Sequence, residues 1–126
     1  FLATMGTIAQ HTARATFATN LLAAGGIAAD VAGPTQDADE LVAAHTGQTV
    51  AVLAGTDAAY ATWGEQAASA LRADGVAHVV VAGKPAPWAD DSCATGVDAL
   101  AFLTRTRERL ASAASPASPA STEVSA

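Results

Sequence analysis

The first 26 residues constrain the fold of this chain most, because they predict a strand, a loop and a helix in that order. Residues 1–4 are apolar and indicate a short strand, and the helical stretch 12–24 ends at the pair Gly25-Gly26, since glycine is favoured just beyond a helix C-terminus. Residues 7–12 then lie at the carboxyl end of the strand, where open parallel α/β sheets bind their ligands. These residues are therefore expected to decide whether the domain holds a ligand.

The rest of the chain repeats the alternation of strands and helices. Residues 49–54 and 78–82 are continuously apolar, as strands covered on both faces are. A weaker strand is predicted at 27–31 and a short one at 92–94. Such alternation is typical of right-handed βαβ units and a parallel sheet.

Four helices are predicted between these strands: 12–24, 38–45 with a cap at Asp37 or Thr35, 57–73 with a cap at Thr56 or Asp57, and 97–111. Residues 83–91 contain two prolines and two acids and predict a loop in place of a crossover helix. The residues expected to face the core at helical spacing are Phe17, Leu21 and Ala24 in the first helix, Tyr60, Ala67 and Leu71 in the third, and Leu100, Leu103 and Leu110 in the last.

Composition limits the function classes. A net charge of −6 with only six basic residues argues against a nucleic-acid-binding face, and no apolar run is long enough to cross a bilayer. A single cysteine, Cys93, fits a reducing cytoplasm, and its acidic neighbours favour a structural thiol. We expect one α/β domain, 1–111, and a disordered Ser/Ala/Pro-rich tail, 112–126.

Other polar residues have structural explanations. His45 ends a predicted helix, where a cation is favoured by the helix dipole, and His78 begins a strand. Asp90 and Asp91 are adjacent in a predicted extended segment, so their carboxylates should point to opposite sides and cannot converge on one substrate. No Gly-x-Gly-x-x-Gly sequence follows the first strand, which argues against a nucleotide-binding Rossmann domain.

Several segments resemble a known family: Met5-Gly6, residues 11–20, Ala24-Gly25-Gly26, residues 79–85 and residues 96–103. They resemble the C-terminal domain of methylmalonyl-CoA mutase, and most closely that of the small subunit of the bacterial heterodimeric enzyme. The resemblance implies a flavodoxin-like (Rossmann-like) fold, in which a parallel sheet has helices on both faces. It also implies that this is a degenerate form of the family's cobalamin-binding domain.

Cobalamin-binding members of that family have Asp-x-His-x-x-Gly in the first loop, where the histidine binds cobalt and the aspartate orients it. Counted without gaps from Met5-Gly6, those positions here are Ile8, Gln10 and Ala13. Ile8 cannot orient an imidazole, although such an acceptor normally fixes the ligand's tautomer and basicity. We therefore expect no catalytic, cofactor-binding or metal-binding residue in this domain.

A second hypothesis keeps the cofactor. In that reading His11, one position away, is the cobalt ligand, and Thr56 and Gly83 contribute to cofactor binding. Relatives have a Ser-x-Leu sequence near Thr56, which is not recognisable here, and a Gly-Gly pair at 83–84, of which only Gly83 is present. Lys84 would project into the space that a cofactor tail needs.

If no cofactor binds, the crevice between the first helix and the sheet should be closed by side chains, because empty apolar volume is destabilising. Ile8, Phe17 and Leu21 are the expected fillers.

The resemblance implies a role in the adenosylcobalamin-dependent isomerisation of methylmalonyl-CoA and succinyl-CoA. It implies that the large subunit of a cytoplasmic heterodimer binds cobalamin and substrate, and that this domain is a structural partner. A hypothesis of another class is a non-enzymatic interaction or signalling module on the same fold. A receiver domain would need an acidic cluster at the strand ends, where Ile8, Gly55 and Gly83 stand instead.

Overall fold

The computed structural model describes residues 1–94 and 98–114, with side chains as far as residue 111. The strands are β1 (Leu2–Thr4), β2 (Val50–Ala54), β3 (His78–Ala82) and β4 (Asp91–Cys93). The helices are α1 (Ile8–Ala24), α2 (Ala38–Ala44), α3 (Asp57–Ala59), a π-helical segment (Tyr60–Gly64), α4 (Glu65–Ala73) and α5 (Ala99–Ala114). The predicted helix start at 97 and the predicted tail from 115 onward lie outside the described residues.

The four strands form one parallel sheet in the order β1-β2-β3-β4. Beside β1, Val31 forms a single parallel bridge with Leu2, and the Leu2 N–H donates to the Asp30 carbonyl over 2.8 Å. The predicted strand at 27–31 is thus reduced to a single bridge. Val31 is 58% exposed at the sheet edge and has little to pack against. With this bridge included, the strand order is that of flavodoxin-like folds, 2-1-3-4-5.

Helices cover both faces of the sheet, as predicted. On one face α1 and α5 bury an apolar cluster with the sheet, made of Leu2, Ala18, Leu22, Val52, Ala54, Val80, Ala82, Cys93, Phe102 and Leu103. On the other face the cluster involves α2 and α4, and consists of Ala3, Met5, Leu41, Ala51, Leu53, Ala67, Ala68, Leu71, Val76 and Val79. The fold is an α/β sandwich of the flavodoxin-like class.

Helix α1 begins four residues earlier than the sequence pattern suggested. Thr7 caps it, and the side chains of Thr7 and Gln10 each accept a hydrogen bond from the other's backbone N–H. This reciprocal capping box satisfies two N–H groups that would otherwise lack partners. The predicted loop at 7–12 is wrong for that reason: residues 8–12 are helical.

The inward faces of two helices also differ from the prediction. In α5, Leu100 is 73% exposed, whereas Phe102, Leu103 and Thr106 are buried. The apolar stripe of α5 is thus rotated away from Leu100, because the helix packs on Phe102. In α1, Leu22 rather than Ala24 is buried.

Residues 83–90, all of them described, contain no helix, as predicted. Trp88 of this loop covers the helix on the second face of the sheet. A Cβ at Gly64 would lie 2.7 Å from the Trp88 indole, so the π-helical segment needs a glycine where the indole packs. Trp88 also meets the Tyr60 ring edge-on, with 6.1 Å between ring centroids.

Candidate functional site

The carboxyl ends of three neighbouring strands are followed by Gly6, Gly55 and Gly83. Gly6 exchanges two backbone hydrogen bonds with Thr35, over 2.7 and 3.2 Å, and has a φ of 86° that favours glycine. The Met5 N–H donates to the Ala54 carbonyl over 2.9 Å. The backbone at this edge is therefore held by local pairing, and the site is defined by the side chains that lie over it.

Arg14 of α1 reaches across this edge. Its Nη1 donates to the Gly55 carbonyl over 3.0 Å and lies 2.9 Å from Asp57 Oδ1. Its guanidinium carbon lies 5.4 Å from the centroid of the Tyr60 ring, within cation–π range. One side chain thus joins α1 to the end of β2 and to the first turns of the next helix.

Tyr60 closes the same region from the other helix layer. Its hydroxyl lies 2.7 Å from the Ala82 carbonyl and 3.1 Å from the Leu53 carbonyl, and it accepts from the Gly55 N–H over 2.9 Å. Burial raises the pKa of this phenol, and its single proton is donated at the shorter distance to the Ala82 carbonyl, with the Leu53 carbonyl next to it. Tyr60 thereby bridges the ends of β2 and β3.

Arg14 also lies directly against Gly83. A Cβ built on Gly83 would be 3.2 Å from the Arg14 guanidinium carbon, and Gly83 has a φ of 144° that side chains rarely adopt. The space beside Gly83, where a side chain would stand, is therefore occupied by Arg14. The sequence did not reveal this role, because Arg14 meets its partners only after folding.

The predicted crevice fillers need correction. Ile8 is 63% exposed, because it is the first residue of α1 and its side chain extends from the helix end. Phe17 and Leu21 are partly buried against the cluster beneath α1 and α5. The ends of β2 and β3 are filled by Arg14 and Tyr60 instead.

In the described part of the chain, two of the three residues of the cofactor-retaining hypothesis, His11 and Thr56, line different clefts. His11 is a buried residue of α1 with Nδ1 3.3 Å from the Gly6 carbonyl oxygen, and it lines a cleft of about 280 Å³ with Val31. Thr56 lines a different cleft, of about 260 Å³, with Gly6 and Trp63. Gly83 lines neither of these two clefts.

Asp90 and Asp91 point to opposite faces of the sheet, as predicted. Asp90 Oδ2 lies 3.0 Å from Arg72 of α4, and Asp91 is paired with Arg105 of α5 at 2.9 Å. Hydrogen bonds from the Val79 N–H and Arg72 help to lower the pKa of Asp90 despite its partial burial. The two carboxylates therefore hold separate helices and do not converge.

Within residues 1–94 and 98–114, no group of three or more His, Cys, Asp or Glu is placed to hold a metal ion. Burial and the nearby Asp91 raise the pKa of Cys93 to about 11, as its acidic neighbours predicted. In the same part of the chain, no helix is both long and apolar enough to span a bilayer.

Comparison with known proteins gives a consistent result, although no family model matches the chain. A methylmalonyl-CoA mutase small subunit from Streptomyces virginiae is 42% identical over 115 residues, which are 87% of this chain and 18% of that protein. Probable methylmalonyl-CoA mutase small subunits from Mycobacterium bovis and Mycobacterium tuberculosis are 46% identical over 82 residues, 63% of this chain and 13% of theirs. The chain spans less than a fifth of the length of these relatives. The resemblance drawn from the sequence is confirmed, and over most of its length this chain is similar to part of the methylmalonyl-CoA mutase small subunit.

Proposed function

We propose that this chain is a structural domain of the small subunit of an adenosylcobalamin-dependent methylmalonyl-CoA mutase. The proposal assigns cobalamin and substrate binding to the large subunit of a heterodimer and no catalytic residue to this domain. The relatives named as small subunits support the family and the existence of a larger partner. A cytoplasmic location is part of the proposal, supported by the single unpaired cysteine.

The observation that best supports a non-binding role is the position of Arg14, which donates to the Gly55 carbonyl and fills the space beside Gly83. A cofactor tail entering between α1 and the ends of β2 and β3 would have to displace this side chain and break its pairing with Asp57. Removing one partner of a hydrogen-bonded ion pair costs free energy unless the ligand replaces it. The crevice therefore favours its own side chains over a ligand.

The first turn of α1 also fits a structural role better than the binding of a corrinoid through an imidazole ligand. Gln10 stands at the family's cobalt-ligand position, and its Oε1 accepts from the Thr7 N–H over 2.9 Å as part of the helix cap. Ile8, at the position of the orienting aspartate, has no acceptor to offer. The groups present at these positions do not fit the cofactor.

Titration with hydroxocobalamin tests this point. The purified chain should give no saturable change in corrin absorption. A saturable change that disappears in His11→Ala would favour the second hypothesis, in which His11 binds cobalt. A saturable change that persists in His11→Ala would contradict both hypotheses, because cobalamin would then bind without His11 as the cobalt ligand.

Assembly tests the structural role. In a heterodimer reconstituted from the large subunit and a full-length small subunit that contains this domain, His11→Ala should leave turnover per assembled complex nearly unchanged. Full assembly with lost turnover in that variant would show that the domain takes part in catalysis. Assembly is also the test against the non-enzymatic module, because such a module should not co-purify with the large subunit.

A further inference from the structure

Four groups from two parts of the chain, residues 55–60 and Gly83, lie around the guanidinium of Arg14. They are the Gly55 carbonyl oxygen, the Asp57 carboxylate, the Tyr60 ring and the backbone of Gly83. We propose that these groups form a guanidinium-binding site, which the protein fills with its own Arg14 and which binds a small guanidinium compound when that side chain is shortened.

The chemistry of the four groups matches a flat, delocalised cation. A carbonyl and a carboxylate oxygen accept from the N–H groups, and an aromatic ring attracts the positive charge. A guanidinium presents its donors in a rigid plane, whereas an ammonium is a compact, strongly hydrated point charge. The arrangement around Arg14 should therefore distinguish guanidinium from ammonium compounds of equal charge.

Gly83 fixes the shape of this site. A Cβ there would lie 3.2, 3.3 and 3.5 Å from the guanidinium carbon and its two terminal nitrogens. These three atoms of the guanidinium thus occupy the space that a side chain at Gly83 would need. The absence of a side chain at this residue lets the cation approach the end of β3.

The floor of this site is buried, whereas its opening reaches solvent. Gly55 and Gly83 are buried, while the Arg14 and Asp57 side chains are 32% and 62% exposed. A small molecule can therefore enter from solvent when the arginine stem is removed, without opening the core. This inference goes beyond the proposed function and does not depend on it.

The test is a titration of the 126-residue Arg14→Ala chain with methylguanidinium at low millimolar concentration and constant ionic strength. Backbone amide shifts are followed by NMR. We expect saturable shifts at Gly55, Asp57 and Gly83 in the variant and only small, non-saturating shifts in the parent chain, whose own arginine occupies the site. Methylammonium should bind at least about tenfold more weakly.

The matched control is Arg14→Ala combined with Asp57→Asn, which removes the carboxylate and should abolish saturation. The absence of saturable shifts in a folded Arg14→Ala chain would overturn the proposal, as would equal shifts with methylammonium or in the parent chain. If Arg14→Ala does not fold, the single variant Asp57→Asn provides the test. Its Arg14 Nε–H signal should shift and exchange faster with water, and an unchanged signal would contradict the site.

Discussion

Oδ2 of Asp74 lies 2.7 Å from Nδ1 of His45, and this bond joins the end of α2 to the end of α4. The His45 side chain is fully buried, and its Nε2 lies 2.7 Å from the Gln48 carbonyl oxygen. The Phe1 ring meets the imidazole edge-on at 5.2 Å. The sequence placed His45 at a helix end beside the dipole, but the structure shows a core residue that joins two helices to the loop before β2.

Replacing His45 should therefore destabilise the domain. His45→Ala removes a buried ring and two hydrogen bonds, and should lower the free energy of unfolding by about 2–4 kcal/mol in urea denaturation. Asp74→Asn should cost less than about 1 kcal/mol, because the carboxylate is 44% exposed and its charge is screened by water. An unchanged urea midpoint in His45→Ala would refute this structural role.

A charge in the central strand should be more damaging than the same charge at the sheet edge. Val52 of β2 is 3% exposed and pairs in register with Leu2 and Val80, so Val52→Asp buries an unpaired carboxylate at a cost of several kcal/mol. Val31→Asp introduces the same group at a position that is 58% exposed, and should change stability by no more than about 0.5 kcal/mol.

Circular dichroism and the yield of folded chain measure this difference. Under the proposed function, Val52→Asp in a full-length small subunit should also lower the amount of heterodimer while leaving turnover per assembled complex intact. Equal loss of folded chain in the two variants would show that the edge beside β1 is more tightly packed than the exposure of Val31 indicates.

The sequence predicted those parts of the fold that depend on local patterns. β2 and β3 were predicted because strands covered on both faces are continuously apolar. The loop at 83–91 was predicted because its prolines exclude a helix, although its last residue, Asp91, is the first residue of β4. The start of α1 was predicted wrongly, although Thr7 and Gln10 have the spacing of a capping box. Leu100 was misplaced because helical spacing alone does not say which stripe the rest of the fold covers.

The candidate site was less predictable than the fold. Gly55 and Gly83 were located by their positions after strands, and Ile8 and Gln10 led to the hypothesis that the family's ligand residues are missing. Arg14 was missed, because its partners lie far away in sequence and a lone arginine in a helix is usually solvent-exposed. Only the packing of α1 on the sheet brings it to the strand ends.

Stability should fall as the pH drops below about 6.5, partly because of His78. This residue is buried, with no hydrogen-bond partner for either ring nitrogen among the described residues. Burial and the nearby Arg109 lower its pKa from the ordinary 6.5. The unfolded chain therefore takes up a proton at a higher pH than the folded one, so protonation favours unfolding as the pH falls.

Urea denaturation between pH 7.5 and 5 measures this effect. His78→Leu should flatten the dependence of stability on pH in this range. The carboxylates do not interfere, because the pKa values of Asp90 and Asp91 are lowered from 3.8 and their stabilising effect is lost only at more acidic pH. If the stability of His78→Leu and that of the parent chain change equally with pH, His78 does not contribute to the pH dependence.

Cys93 should react slowly with thiol reagents in the folded chain. The side chain is 2% exposed, and its pKa is raised from 9.0 to about 11 by burial and by Asp91. At pH 8 the reactive thiolate is then roughly 100-fold scarcer than for a thiol with the ordinary pKa. Labelling with a disulfide reagent should therefore follow the opening of the structure, and should accelerate steeply in urea.

The matched control moves the thiol to the surface. Thr16 lies on the exposed face of α1, so Thr16→Cys in a Cys93→Ala background should be labelled rapidly without denaturant. If Cys93 in the native chain reacts as fast as this surface thiol, the cluster beneath α5 must open readily. In that case β4, which contributes Cys93 to the cluster, would be a mobile edge of the sheet.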